Sequence, residues 1–255
     1  MNSHALPLSG RTAMVTGASR GLGRGMALAL AKAGADLVVT ARSKSSLQEV
    51  GAAIRALGRA CFAVEMQLGS GSHAVEACAE QAWRESGGID VLFNNAGLVL
   101  YQPCLDTQDE EWERTVSTNL SSTFYSCRSF GRRMRARGSG KIINVASDIG
   151  IRGEANWAAY AASKGGVVSL SKSLAWEWAP AVTVNILAPG PFMTDANRPM
   201  FDNPAIRAAV EERVPLHRIG DPEMHLGPLA VLLAGTGSDF MTGAVFRIDG
   251  GICRS

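Results

Sequence analysis

Short apolar runs alternate with longer helical patterns along this 255-residue chain, and that alternation leaves few folds open. The runs cover residues 12–15, 37–40, 61–64, 91–93, 141–145, 183–187 and 244–248. Several are apolar at nearly every position, as strands covered on both faces must be. The stretches between them, near 22–33, 44–57, 72–85, 108–137, 157–178 and 224–234, read as helices. Units of this kind join parallel strands through right-handed helical crossovers. The expected fold class is therefore α/β: a Rossmann-type doubly wound sheet of about seven parallel strands flanked by helices, with residues 1–255 forming a single domain. The one long irregular stretch, 188–221, holds five prolines and a short helical pattern near 205–213. A loop of that length in a compact domain reads as a lid, assigned to 189–221.

Composition removes several function classes. Apolar residues make up 46% of the chain and charged residues 19%, which is globular rather than disordered. Lys and Arg number 25 against 23 Asp and Glu, a net charge of +2, which argues against nucleic acid or an anionic membrane as partner. Arg128, Arg132, Arg133, Arg135 and Arg137 form a basic run, but at the end of a long helix such cations complement the dipole. The five cysteines are odd in number, scattered and without a C-x-x-C pair. A disulfide framework or structural zinc is not expected, and a cytoplasmic location is. Residues 1–10 have no signal-peptide design, and no apolar run reaches the roughly 18 residues of a membrane span. His4, His73, His217 and His225 are dispersed, so no metal site is expected.

The first apolar run ends in Thr16-Gly17-Ala18-Ser19-Arg20-Gly21-Leu22-Gly23, and an Ala/Leu-rich helix follows. Gly17, Gly21 and Gly23 permit a tight turn and let a pyrophosphate approach the backbone, while the helix start offers unpaired amides. With Ser19, Arg20 and Leu22 they form a candidate dinucleotide cradle. An NAD site typically places an acid at the end of the second strand. Here Thr40-Ala41-Arg42-Ser43 has none. Arg42 and Arg20 suit a 2′-phosphate, so NADP(H) is preferred, with NAD(H) as the alternative if both arginines merely extend into solvent.

Tyr160 and Lys164 are spaced i, i+4 on one face of the 157–178 helix. An ammonium beside a phenol favours the phenolate, so the pKa of Tyr160 is expected to fall from about 10. Such a phenol can exchange a proton with an alcohol or carbonyl oxygen. Ser147 precedes Tyr160 by 13 residues and follows the 141–145 strand, at the sheet edge where ligands bind in open α/β folds.

Taken together, and in this order, these residues resemble the short-chain dehydrogenase/reductase family over essentially the whole chain. The further matches are Asn94-Asn95-Ala96-Gly97, Asn119 in Ser117-Thr118-Asn119-Leu120, Tyr160-Ala161-Ala162-Ser163-Lys164, Pro189-Gly190 with Thr194, and Asp249-Gly250-Gly251. The resemblance implies roles. Tyr160 would be the general acid/base, and Lys164 would lower its pKa and hold the nicotinamide ribose. Ser147 would polarise the substrate carbonyl. Asn119 would anchor a water linking Lys164 to solvent. Asn94, Ala96 and Gly97 would line the cofactor pocket, with Pro189 and Gly190 beside it, and Thr194 would meet the carboxamide. It also implies a small-molecule carbonyl or alcohol substrate and a homotetramer formed through helices 108–137 and 157–178, where Phe130, Trp176 and Trp178 could pack.

Substrate cues diverge. Gln67-Leu68 stands where relatives commonly carry an acid that touches adenine. Asp148, Arg152, Glu154, Asn156 and Trp157 suggest a hydroxylated or anionic substrate, whereas Phe192, Met193, Met200 and Phe201 suggest an apolar one. Trp176-Glu177-Trp178-Ala179 and Leu226-Gly227-Pro228 resemble members acting on sugar acids, and Gly17-Ala18-Ser19-Arg20 resembles 3-oxoacyl-thioester reductases. The alternatives are an NAD-dependent sugar-acid or polyol dehydrogenase and a non-catalytic dinucleotide-binding regulatory module.

Overall fold

The computed structural model describes residues 6–195 and 197–253, so His4 and the first five residues of the N-terminal reading lie outside it. Seven strands form one sheet: β1 (Thr12–Thr16), β2 (Asp36–Ala41), β3 (Cys61–Glu65), β4 (Val91–Asn94), β5 (Gly140–Val145), β6 (Val182–Pro189) and β7 (Val245–Ile248). Their order is β3-β2-β1-β4-β5-β6-β7, with every neighbouring pair parallel. Each expected strand is present, most of them longer by one or two residues.

Side chains alternate across the sheet because the strand period is two. Ala13, Val15, Leu37, Val39, Val91, Phe93 and Ile143 face one apolar layer. Met14, Val38, Leu92 and Ile142 face the other. The first layer is closed by α1 (Gly21–Lys32), α2 (Gln48–Ala56) and α10 (Gly227–Ala234). The second is closed by α3 (Ser72–Ser86), α5 (Ser122–Arg137) and α7 (Ala158–Trp178). Burial on both faces is why the strands read as continuous apolar runs. Strand order reverses beside β1, whose neighbours are β2 and β4, so a crevice opens at the carboxyl ends of β1 and β4.

The structure departs from the expected helices at three places. The 108–137 helix is α4 (Asp109–Val116) and α5 joined by a π-helical turn, Ser117–Ser121. Asn119 lies inside that turn and clamps a neighbouring backbone, accepting from the Leu98 amide at 2.9 Å and donating to the Leu98 carbonyl at 3.0 Å. The expected 224–234 helix starts two residues earlier, as a π-helical turn (Pro222–Leu226) that leads into α10, because Asp221 accepts from the Met224 amide at 2.7 Å and proline suits the first turn. A short α6 (Ile149–Arg152) follows β5 and packs on α7.

The 189–221 segment folds back on itself. Pro191 and Gly220 are hydrogen bonded, and Met193 donates to Gly220. Between them lie α8 (Arg198–Phe201) and α9 (Pro204–Arg213), the latter capped by Asn203. Phe192 and Phe201 are buried packing residues, whereas Met200 is exposed. Among the described residues, no helix is long and apolar enough to cross a membrane.

Candidate active site

β1 delivers its last residue, Thr16, to the crevice, where its hydroxyl accepts from the Asn95 and Ala96 amides at 2.9 and 3.0 Å. That bond locks the loop after β4 onto the loop after β1. Gly17 has φ +66° and Gly21 φ +55°, a region glycine enters without strain. A Cβ on Gly17 would stand 2.9 Å from the Ala96 backbone, and one on Gly23 would run into the Gly17 carbonyl. Ser19 is half-buried in this turn. Arg20 is the exposed residue before α1, and Leu22 is half-buried against the core. No acidic side chain lies in the first turn of α1, yet an anion is present there. The Gly21 amide donates to Asp195 of the 189–221 segment at 3.1 Å. Asp195 was not singled out in the sequence, where only its position after Thr194 could have marked it. Thr194 itself packs against Gly21. Arg42 is exposed just beyond β2.

Asn94 ends β4, but its side chain turns inward. It donates to Asn144 at 2.8 Å and accepts from Ser126 at 2.7 Å, so its amide serves the core network more than the crevice. Gly97 lies beside two polar groups: a Cβ there would stand 2.9 Å from Asn119 Oδ1 and 3.5 Å from Lys164 Nζ. Asn119 is fully buried and also donates to Ser163 at 3.0 Å.

α7 carries Tyr160 and Lys164, and its position is fixed by contact with α6. A Cβ on Gly150 would stand 2.7 Å from Lys164, so only glycine lets the two helices approach this closely. Lys164 Nζ donates to the Val145 carbonyl at 2.8 Å and lies 5.9 Å from the centre of the Tyr160 ring. Burial away from water pushes its ammonium down to about 8. Tyr160 is half-buried under Trp157, ring centres 5.5 Å apart, and Trp157 packs in turn on Tyr101 at 5.1 Å.

The expected fall in the Tyr160 pKa is not found. Burial pushes the phenol up to about 12, the Ser147 hydroxyl opposes that rise, and the charge of Asp148 adds to it. The first physical reason is the phenol's own desolvation, with Asp148 a smaller upward push, and the Lys164 ammonium expected to offset them directs a proton at Val145. Ser147 is buried at the end of β5, where its hydroxyl donates to Asp148 Oδ1 at 3.0 Å. Pro189 ends β6 and accepts the Asp148 amide at 3.0 Å, and Gly190 donates to Ile248 at 2.9 Å. Ser147, Tyr160 and Lys164 thus share one wall of the crevice.

The polar segment before Tyr160 is internally paired. Arg152 bonds Asp148 at 3.0 Å and also reaches Glu154, which accepts Arg213 of α9 at 2.6 Å. Burial opposes ionisation of Glu154, but the two guanidiniums outweigh it and hold the carboxyl below its ordinary range. These arginines are already matched by carboxylates, so the segment does not present a free cation to an anionic substrate. The residues suggested for subunit packing also divide. Phe130 and Trp178 belong to the chain's own core, with Trp178 against Gly131, while Trp176 is 89% exposed. In the basic run, Arg133 pairs with Glu76 at 2.9 Å and Arg137 with Asp90 at 3.3 Å.

The short chain dehydrogenase family model matches residues 11–205. The 2-dehydro-3-deoxy-D-gluconate 5-dehydrogenase of Bacillus subtilis is 38% identical over 248 residues, covering 97% of this chain and 96% of that protein. The 3-oxoacyl-(acyl-carrier-protein) reductase of Vibrio cholerae is 36% identical over 246 residues, covering 96% and 98%. Among solved structures, a gluconate 5-dehydrogenase from Burkholderia cenocepacia J2315, in complex with NADP and tartrate, matches with a TM-score of 0.91 at 33% identity, over 97% of each chain.

Proposed function

The chain belongs to the short-chain dehydrogenase family, and from that premise we propose an NADP(H)-dependent oxidoreductase that interconverts a carbonyl and a secondary alcohol on a small hydroxylated substrate. The observation that carries this reading is the convergence of Ser147, Tyr160 and Lys164 on one wall of the crevice that the glycine turn opens. The chain acts as one catalytic and dinucleotide-binding unit, with 189–221 as its lid.

The cradle fits a dinucleotide. Gly17 and Gly23 let the turn after β1 close tightly against Ala96 and Asn95, and the Gly21 amide already holds an anion, the Asp195 carboxylate. Arg20 and Arg42 are exposed cations suited to a 2′-phosphate. Ala96, Gly97, Pro189, Gly190 and Thr194 border the nicotinamide end, with Asn94 supporting them from the core. A nicotinamide dinucleotide bound there supplies or accepts the hydride.

The chain's own residues manage the proton. With a pKa near 12, Tyr160 is protonated at neutral pH, so it donates to the carbonyl oxygen as charge builds there during reduction. Oxidation needs the tyrosinate, which a phenol at that pKa forms only in alkaline solution. Ser147 orients and polarises the substrate oxygen. Asn119 holds the turn through which a water joins Lys164 to solvent. The polar wall of Asp148, Arg152, Glu154 and Asn156 suits hydroxyl groups, and the sugar-acid relatives support that substrate class. Exposed Trp176 on α7 is assigned to a subunit contact in a homotetramer.

The test is absorbance at 340 nm with NADPH or NADH and a panel of keto sugar acids, keto polyols and 3-oxoacyl thioesters. Turnover of hydroxylated ketones with NADPH supports the reading. Dinucleotide binding without turnover across the panel would favour a regulatory module instead.

A further inference from the structure

The phenol of Tyr160 stands at the inner end of a row of three aromatic rings. Trp157 lies 5.5 Å from it between ring centres, and Tyr101, from the loop after β4, lies 5.1 Å beyond Trp157. The rings are tilted by 59° and 55°, so no ring closes its neighbour's face. Tyr101 is 63% exposed. A strip of aromatic surface therefore runs from the phenol that meets the reacting carbonyl out toward solvent.

The outer part of the strip is tied down by its own hydrogen bonds. The Gln102 amide donates to the Asn156 carbonyl at 2.8 Å, and Asn156 Nδ2 donates to the Tyr101 hydroxyl at 3.2 Å. These two bonds join the loop after β4 to the segment before α7. Asn156 makes them at φ +68°, a left-handed conformation that residues with side chains enter at a cost. Glycine would hold that backbone without strain but would have no side-chain amide to give Tyr101.

Two hydrogen-bonding groups are left over. A phenol that accepts one bond still has its proton, and an amide that donates still has its carbonyl oxygen. Among the described residues, neither the Tyr101 hydroxyl proton nor Asn156 Oδ1 has a partner. A donor beside an acceptor matches a hydroxyl group, which is both. Charge on this rim is already matched: Arg152 pairs with Asp148 and Glu154, and Arg213 pairs with Glu154.

We propose that Tyr101, Trp157 and Asn156 select the substrate, and that it is an uncharged ring ketone carrying hydroxyl groups. The apolar C–H face of the ring lies on the Tyr101–Trp157 strip, and a hydroxyl near the carbonyl meets the Tyr101 proton and Asn156 Oδ1. The inference rests on the oxidoreductase reading, which sets the carbonyl at Tyr160, and it narrows that reading. An open-chain keto acid brings a carboxylate that finds no unmatched cation on this rim, and it has no ring face to cover the strip.

The test compares a keto-inositol with cyclohexanone, a ring without hydroxyls, and with keto-gluconate, a hydroxylated chain without a ring. With NADPH, kcat/KM is expected to be highest for the keto-inositol. Tyr101→Leu is expected to cut the preference for keto-inositol over keto-gluconate about tenfold. Tyr101→Phe keeps the ring and Asn156→Gly keeps the backbone, and each is expected to cut the preference for keto-inositol over cyclohexanone about tenfold. A parent that prefers keto-gluconate, or preferences unchanged in all three variants, overturns the proposal. Saturation-transfer NMR of the keto-inositol on protein loaded with NADP+ reads ring contact without turnover. Contact along one ring face that is lost in Tyr101→Leu, in a protein that reduces none of the three ketones, supports the strip and refutes the oxidoreductase reading. Turnover of keto-gluconate with no such contact refutes the strip alone.

Discussion

The ammonium of Lys164 lies 5.9 Å from the centre of the Tyr160 ring, with Nζ hydrogen bonded to the Val145 carbonyl at 2.8 Å. Spacing of i, i+4 puts both residues on one helix face, but it does not say where the flexible end of the lysine points. The lysine's own burial brings its pKa down to about 8, and this has a consequence for stability. Its folded pKa lies below its unfolded value of 10.5, so the folded state is penalised for carrying the charge. That penalty is complete below pH 8 and is relieved as pH rises from 8 to 10.5. Urea unfolding of Lys164→Met and of the parent is expected to show the variant's relative advantage shrinking over that window, by up to about 3 kcal/mol. A pH-independent difference would mean that the lysine is not desolvated.

Arg42→Ala is expected to weaken NADPH binding about tenfold more than NADH binding, because a charge-assisted contact to a 2′-phosphate is absent from NADH. Fluorescence titration of both dinucleotides measures this. Equal losses would remove Arg42 from the 2′-phosphate site.

Gly23→Ala places a methyl group 2.6 Å from Asn95 Nδ2 and against the Gly17 carbonyl. Asn95 donates to the Thr16 carbonyl at 2.9 Å, so neither neighbour gives way freely. Overpacking of this kind is expected to cost about 1–3 kcal/mol in denaturant unfolding and to weaken NADPH binding. Parent-like stability and affinity would show that the turn is looser than described.

Arg213→Gln removes the lid's 2.6 Å bond to Glu154. Arg213 is half-exposed, so the effect is modest: KM is expected to rise about two- to fivefold, with kcat little changed. Amide exchange over α9 should quicken. Unaltered exchange there would show that the pair does not fasten the lid.

Much of the fold was legible because both faces of the sheet are covered. Continuous apolar runs such as 37–40 and 91–93 leave little choice but buried parallel strands, and the glycine turn marks where the first one ends. The glycines at 17 and 23 were readable because their freedom is a local backbone property. What could not be read was which side chains meet. Asp148 looked like one polar residue among several, and only the fold brings it against Ser147 and Arg152. The π-helical turn at Asn119 arises from its grip on Leu98, 21 residues away. The pairing of Glu154 with Arg213 depends on how the lid folds back. Such contacts follow from tertiary packing, not from local pattern.

Tyr160→Phe tests the central claim most directly. The substitution removes only the phenolic oxygen, so NADPH affinity should stay within about twofold of the parent, while turnover of a competent ketone should fall by roughly 10²–10⁴. Parent-like turnover in a variant that binds NADPH normally would contradict the account, because the proton would then come from another group.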